Sequence, residues 1–296
     1  MAGLAVPLPD PALERSVAQG VERVEARLRA AVAGADPFVT GAAKHLLEAG
    51  GKRLRPLLTV LCAHLGAGVN QAVVDAAAVV ELTHLASLYH DDVMDSAPLR
   101  RGLPAAHEVY GPTVAILTGD MLFARASAIV AGLGPEAVLI QAQTFERLCL
   151  GQIDETTGPR AGQDPVEHHM QVLAGKTGAL IATSAHFGAK LSGCPEEVVR
   201  ALVAYGEAVG IAFQLADDII DLTSDAAVSG KTPGTDLRER VPTMPVLLVE
   251  AAAAADRTAG LTDSPSISLA AALAGDLTSD AALASVVQAL RAHPAL

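Results

Sequence analysis

Residues 71–95 read QAVVDAAAVVELTHLASLYHDDVMD, a stretch rich in alanine, valine and leucine that ends in three carboxylates. It holds no glycine or proline, and its alanines favour helix over strand, so one long helix is expected over Gln71 to Asp95. The same design returns at 213–221, FQLADDIID, at the far end of an apolar segment opened by Pro195. Both runs are DDxxD. Carboxylates at i,i+4 repel each other on a helix, and a bound cation removes that repulsion. Hard oxygen donors of this kind suit Mg²⁺, which binds one or two carboxylates together with substrate phosphates. One DDxxD alone is commonly a solvated helix end; two copies, each closing an apolar helix, are hard to read as surface decoration.

Helix signals recur on both sides. Asp36-Pro37 pairs an N-cap with proline at the first helical position, and Gly50-Gly51 stops that segment. Pro56 opens a segment to about Leu65, Gly111-Pro112 one to about Val130, and Gly134-Pro135 one to about Asp154. Asp164-Pro165 starts a short helix that Gly175 interrupts, and another runs from Lys176 to Lys190. The Ser96–Pro104 stretch reads as a loop, as does the Gly/Thr/Pro-rich stretch Thr223–Pro242, and Ala251–Ser268 reads as a poorly specified connection. No useful strand alternation appears. The expectation is an all-α, single-domain antiparallel helix bundle spanning 1–296, with the two acidic helix ends facing each other across a central cavity.

The chain of 296 residues is 51% hydrophobic but only 3% aromatic, with no tryptophan, so Ala, Leu and Val must fill its core. Its net charge of −12 argues against a nucleic-acid partner. Three scattered cysteines show neither metal spacing nor a disulfide framework, which fits a reducing cytoplasm. No signal peptide is visible. Glu81, Asp120 and Arg125 interrupt the most apolar regions, so no transmembrane segment is expected, although an apolar product could bring the protein to a membrane surface.

Against that acidic background the cations cluster. Gly50-Gly51-Lys52-Arg53-Leu54-Arg55-Pro56 combines glycines that let backbone approach a ligand with donors for phosphate oxygens. Read alone it is equally a glycine turn with solvated basic residues. Arg100-Arg101-Gly102 follows the first acidic run closely enough to favour phosphate recognition beside a metal. His84, two turns before Asp91 on the same face, is either a satisfied core histidine or a phosphate contact.

Taken together, GGKRLRP at 50–56, HDDVMD at 90–95, LRRG at 99–102, GD at 119–120, GKTG at 175–178, FQLADDIID at 213–221 and GKTPGTDL at 230–237 resemble the trans-type isoprenyl diphosphate synthases, in that family's order and approximate spacing. GQIDETTGP at 151–159 and LAGKTGALIATSA at 173–185 are similar to actinobacterial polyprenyl synthases. The resemblance implies that Asp91, Asp95 and Asp217 ligate Mg²⁺ on the allylic diphosphate, with Asp92, Asp218 and Asp221 as further ligands or supporting groups, and three ions per site when substrate is bound. It implies that Lys52, Arg55, His84 and Arg101 hold isopentenyl diphosphate, and that Arg100, Lys176 and Lys231 grip the allylic diphosphate. Thr177 and Gln214 would sit beside the developing allylic cation and, with Lys176, form the catalytic set. A homodimer is also a family expectation.

In such an enzyme the helix before Asp91 walls the tunnel for the growing chain. Short-chain members place a bulky aromatic at the position of Ala86 or Ser87; here both are small, and deeper turns offer Leu82, Thr83 and Val79. One turn advances about 5.4 Å, close to one isoprene unit, so a product longer than about C20, of roughly C30–C50, is expected. Phe123 or Phe145 could form a lower floor. Two features depart from the family pattern: Arg240-Val241 stands where Gly-Lys is usual, so that diphosphate contact is missing or supplied by Arg238 or Arg240. The chain also stops at Leu296 where relatives continue, which reads as a truncated or a shortened member whose lid would be looser. Two other classes stay open. A class I terpene cyclase shares DDxxD but would lack GGKRLRP and DDIID, and a partner subunit of a heteromeric synthase tends to lose an acidic run.

Overall fold

The computed structural model describes residues 8–34, 36–223 and 233–296. The helices are α1 (Pro11–Val32), α2 (Pro37–Glu48), α3 (Leu54–Ala63), α4 (Gln71–Met94), α5 (Ala106–Tyr110), α6 (Pro112–Ala131), α7 (Pro135–Thr157), α8 (Pro165–Leu173), α9 (Ala179–Leu191), α10 (Glu196–Thr223), α11 (Thr235–Arg238), α12 (Met244–Thr258), α13 (Pro265–Ala274) and α14 (Asp280–Arg291). The sheet consists of two-residue strands, β1 (Leu99–Arg100) and β2 (Leu103–Pro104), paired antiparallel where a plain loop was expected.

Side-chain caps explain several starts. Asp10, Asp36 and Asp164 each accept from backbone N–H groups of the first turn, with proline directly after each. Asn70 caps α4 by accepting from Val73 N–H. Between α8 and α9 the chain forms one π-helical turn, Ala174–Gly178, where an interruption at Gly175 was expected. The stretch 251–268 is corrected. It belongs largely to α12 and to α13, whose cap Ser264 accepts from Ile267 N–H.

Two compact units are present, Met1–Leu148 with Gly178–Ala208, and Cys149–Thr177 with Val209–Leu296. In the first, α4 is central and packs on α6, α9, α3 and α1. Val79, Leu82, Leu85 and Tyr89 of α4 are fully buried there, and each such side chain contributes about 1.5–3 kcal/mol. The second unit has its own apolar core, built on Leu222, Leu237, Val249, Leu273, Leu283 and Leu290.

The expected lack of any helix long and apolar enough to cross a membrane is also corrected. By length and composition α4, α6 and α10 all qualify, because isolated charges such as Glu81 or Asp120 hardly lower the mean hydropathy of 18 residues. The most apolar window of α4 is 72% buried inside the protein, whereas those of α6 and α10 are 33% and 17% buried.

Candidate active site

The first unit carries the basic cluster and the first acidic run. Gly50 and Gly51 have φ of 93° and 138°, and a Cβ on Gly51 would lie 2.9 Å from the Arg101 guanidinium carbon. Glycine therefore lets Arg101 lie across the turn, where it donates to Leu46 O at 2.9 Å and to Gly50 O. Arg55, in the first turn of α3, has a buried Nε with no partner. Lys52 is exposed.

Arg53 behaves differently from its neighbours. It caps α3 in the left-handed region (φ 50°), and its guanidinium is buried against Glu25 at 2.5 Å, Glu81 at 2.9 Å and Leu47 O at 2.8 Å. Nothing in the motif string marks it as the inward-facing member.

His84 is half-buried on α4. Burial, then the cations Arg55, Arg101, Arg100 and Arg53, push its pKa well below the ordinary histidine value, so the ring is neutral at pH 7. Burial also lowers the pKa of Arg55 and of Arg101, opposed in both by Glu81, yet guanidinium stays charged. Half-buried guanidiniums around a neutral imidazole, one with an unmet donor, form a cradle that a multiply charged anion would satisfy.

At the end of α4 the three aspartates diverge. Asp92 is fully buried, and one of its oxygens accepts from Arg100 Nε at 2.6 Å and lies 2.5 Å from Arg100 Nη2; its other oxygen is buried without a partner. Asp91 is half-buried and Asp95 exposed, one turn apart on the same face. Arg100 and Asp92 thus answer each other across the β1 turn.

Ala86 and Ser87, expected as the wall residues, lie on the same helix. Ala86 is fully buried, and Ser87 satisfies its hydroxyl on His84 O at 2.9 Å. The rings of Phe123 and Phe145 are 4.1 Å apart, and Phe123 lies 5.9 Å from His90, beside the turn that follows Ala86. A Cβ on Gly119 would meet His90 Nε2 at 2.3 Å, so α6 can approach α4 here because residue 119 is glycine. One turn deeper, Gln141 donates to Thr83 at 2.7 Å, and Thr144 and Thr183 bond at 2.6 Å, all four buried. Reading the sequence missed this polar layer; a buried glutamine gives no signal without its partners.

In the second unit, Asp217 is exposed, Asp221 half-buried and Asp218 buried. Asp218 accepts from Met244 N–H at 3.1 Å, with His169 Nε2 at 3.5 Å. Asp221 accepts from the N–H of Asp236 at 3.3 Å, so the Asp236-Leu237 pair folds back onto the run. The π turn carries Lys176, which pairs with Glu155 at 2.5 Å, and Thr177, whose hydroxyl donates to Gln214 at 3.4 Å. A Cβ on Gly151 would fall 2.7 Å from Lys176 N, so glycine in α7 makes room for the turn. Lys231 lies outside the described residues. Arg238 pairs with Asp280 at 2.5 Å and Arg240 donates to Leu273 O at 2.6 Å and to Gly275 O, so both are engaged within their own unit.

Among the described residues no group of three or more His, Cys, Asp or Glu side chains forms a metal cage. Two carboxylates per run, with the middle one turned inward, fit a divalent ion that completes its shell with substrate phosphate oxygens and water.

An all-α chain with half-buried guanidiniums beside an acidic helix end fits the class of helical proteins that hold diphosphates. The chain belongs to the polyprenyl synthetase family, whose model matches residues 36–265. It is 44% identical over 292 residues to the nonaprenyl diphosphate synthase of Mycobacterium tuberculosis, covering 98% of this chain and 84% of that protein. The geranylgeranyl pyrophosphate synthase of Corynebacterium glutamicum, solved with calcium and isoprenyl diphosphate, superposes with a TM-score of 0.85 at 38% identity, covering 98% of this chain and 86% of that one. A decaprenyl diphosphate synthase from Rhodobacter capsulatus superposes with a TM-score of 0.83 at 33% identity, covering 96% and 86%. The fold is that of the isoprenyl diphosphate synthases.

Proposed function

We propose that this protein is a trans-prenyltransferase that condenses isopentenyl diphosphate with an allylic diphosphate to give a long polyprenyl diphosphate. The observation that carries the reading is the guanidinium cradle of Arg55 and Arg101 around a neutral His84, on the helix that ends in Asp91 and Asp95. Lys52, Arg55, His84 and Arg101 hold isopentenyl diphosphate in this reading, and Arg100, Lys176 and Lys231 hold the allylic diphosphate. Asp91, Asp95 and Asp217 would hold Mg²⁺, three ions with substrate bound, which supplies charge neutralisation for the departing diphosphate. Asp92, Asp218 and Asp221 support those ligands. The oxygen dipoles of Thr177 and Gln214 stabilise the allylic cation and the charge of Lys176 acts on the departing diphosphate, while apolar walls exclude water until the isopentenyl double bond attacks. A proton then passes from the condensed cation to the released diphosphate, which completes the cycle.

In this reading the chain is one synthase domain, and each acidic run serves a substrate diphosphate. The small pair Ala86 and Ser87 leaves the wall open, which supports a product of roughly C30–C50 by the helix-turn measure. A homodimer is favoured by exposed Ile116 and Leu117 of α6 and exposed Val138 and Leu139 of α7. Asp120, 60% exposed at its side chain on α6, suits a protein or aqueous neighbour better than lipid, so a membrane contact is peripheral and a cytoplasmic enzyme is the reading.

Purified protein given Mg²⁺, isopentenyl diphosphate and farnesyl or geranylgeranyl diphosphate tests this. Elongation beyond about C20 is expected from the wall geometry, and Ala86→Phe should shorten the product sharply. Products that stop at farnesyl length would refute the long-chain reading. Cyclised hydrocarbon without isopentenyl consumption would indicate a cyclase, and silence until a second polypeptide is added would indicate a subunit.

A further inference from the structure

The sequence GGKRLRP presents three cations in four positions, and they do not face the same way. Lys52 is exposed and Arg55 keeps an unmet donor, but Arg53 is 5% exposed and its donors are engaged on three elements. Glu25 comes from α1, Glu81 from α4 and the Leu47 carbonyl from the end of α2. Glu81 is itself 2% exposed, so the Arg53–Glu81 pair is a desolvated one whose geometry matters more than its net stability. The planar fork of the guanidinium reaches the three partners from three separate nitrogens, a spread and fixed direction that the single nitrogen of an ammonium lacks.

We infer that Arg53, Glu25 and Glu81 form a positioning clamp that sets the distance between the Lys52/Arg55 loop and His84 for isopentenyl diphosphate. The residues are arranged for this. Arg53 lies between the two loop cations in sequence and holds the left-handed backbone that separates them. Glu81 lies three residues before His84 on α4, so the two share a helix face. A shift of the guanidinium against Glu81 is therefore a shift of the loop against His84. Arg53 touches no substrate in this scheme; it acts through its neighbours.

The clamp rests on the reading of this cradle as the isopentenyl diphosphate site, and steady-state kinetics with the two substrates varied separately distinguishes the two. Arg53→Lys keeps the charge and loses the fork. It should raise KM for isopentenyl diphosphate about tenfold while KM for the allylic substrate and kcat stay within about twofold, because misplacement by a fraction of an ångström acts on the misplaced group. Glu25→Gln still accepts from Nε and should raise the same KM by about threefold; it decides the matter if Arg53→Lys fails to fold by circular dichroism. An unchanged isopentenyl KM in a folded variant, or parallel losses for both substrates, would overturn the clamp. A wild-type chain that turns over the allylic diphosphate without consuming isopentenyl diphosphate would overturn the site reading, and the clamp's purpose with it.

Discussion

The two DDxxD runs share a pattern and hold it by different means. In each, the middle aspartate turns inward: Asp92 is fully buried and Asp218 is 5% exposed. Asp92 is held by a permanent cation, Arg100, through contacts of 2.6 and 2.5 Å. Asp218 is held by the backbone N–H of Met244 at 3.1 Å, with His169 at 3.5 Å. The first run is secured by charge and the second by a main-chain hydrogen bond. A string of identical letters therefore conceals two environments, in which the outer carboxylates stay half-buried or exposed and the middle one anchors the helix end.

The largest effect should come from the outer residues. Asp91→Asn and Asp217→Asn should each lower kcat/KM by about 10²–10³-fold, with thermal denaturation showing stability changes within about 0.5 kcal/mol. If Asp92→Asn proved the more damaging to turnover, the proposed roles would be wrong. Next in size is stability. Asp92→Asn removes a buried charge partner of Arg100 and should cost about 1.5–3 kcal/mol in denaturant unfolding, whereas Asp218→Asn still accepts from Met244 N–H and should cost about 0.5–1.5 kcal/mol. Equal costs would erase the contrast between the runs.

The smallest effect concerns the cradle beside the first run. His84 is held below its unfolded pKa by burial and by the surrounding guanidiniums. The unfolded chain binds the extra proton first, so stability should fall as pH drops below about 6.5 and level off once the folded ring also protonates. Replacing His84 by Gln should flatten that slope in a series of melting curves across pH 5–8.

Much of this was legible from residue types. Asp36-Pro37, Asp164-Pro165 and the glycine-free run from Gln71 announced their helices, because caps and composition act locally. Asp10-Pro11 carries the same signal before α1 and was passed over. The alanine-rich 251–255 stretch lacks an apolar rhythm, so α12 escaped notice although Ala253 is buried and Val249 packs in the second core. What stayed hidden depends on tertiary partners. Neither the inward turn of Arg53 nor that of Asp92 follows from a motif, since each needs a carboxylate or guanidinium brought from another element. The same holds for Arg238 and Arg240, whose partners Asp280 and Leu273 lie more than thirty positions away.

Under the proposed function, each acidic run holds metal against a substrate diphosphate. Electron paramagnetic resonance titration with Mn²⁺, with and without an unreactive thiolo analogue of farnesyl diphosphate, addresses it directly. Tight Mn²⁺ binding should appear only with the analogue present, and should be lost in Asp91→Asn and in Asp217→Asn alike. Equally tight binding without the analogue, or binding indifferent to one of the two substitutions, would contradict it.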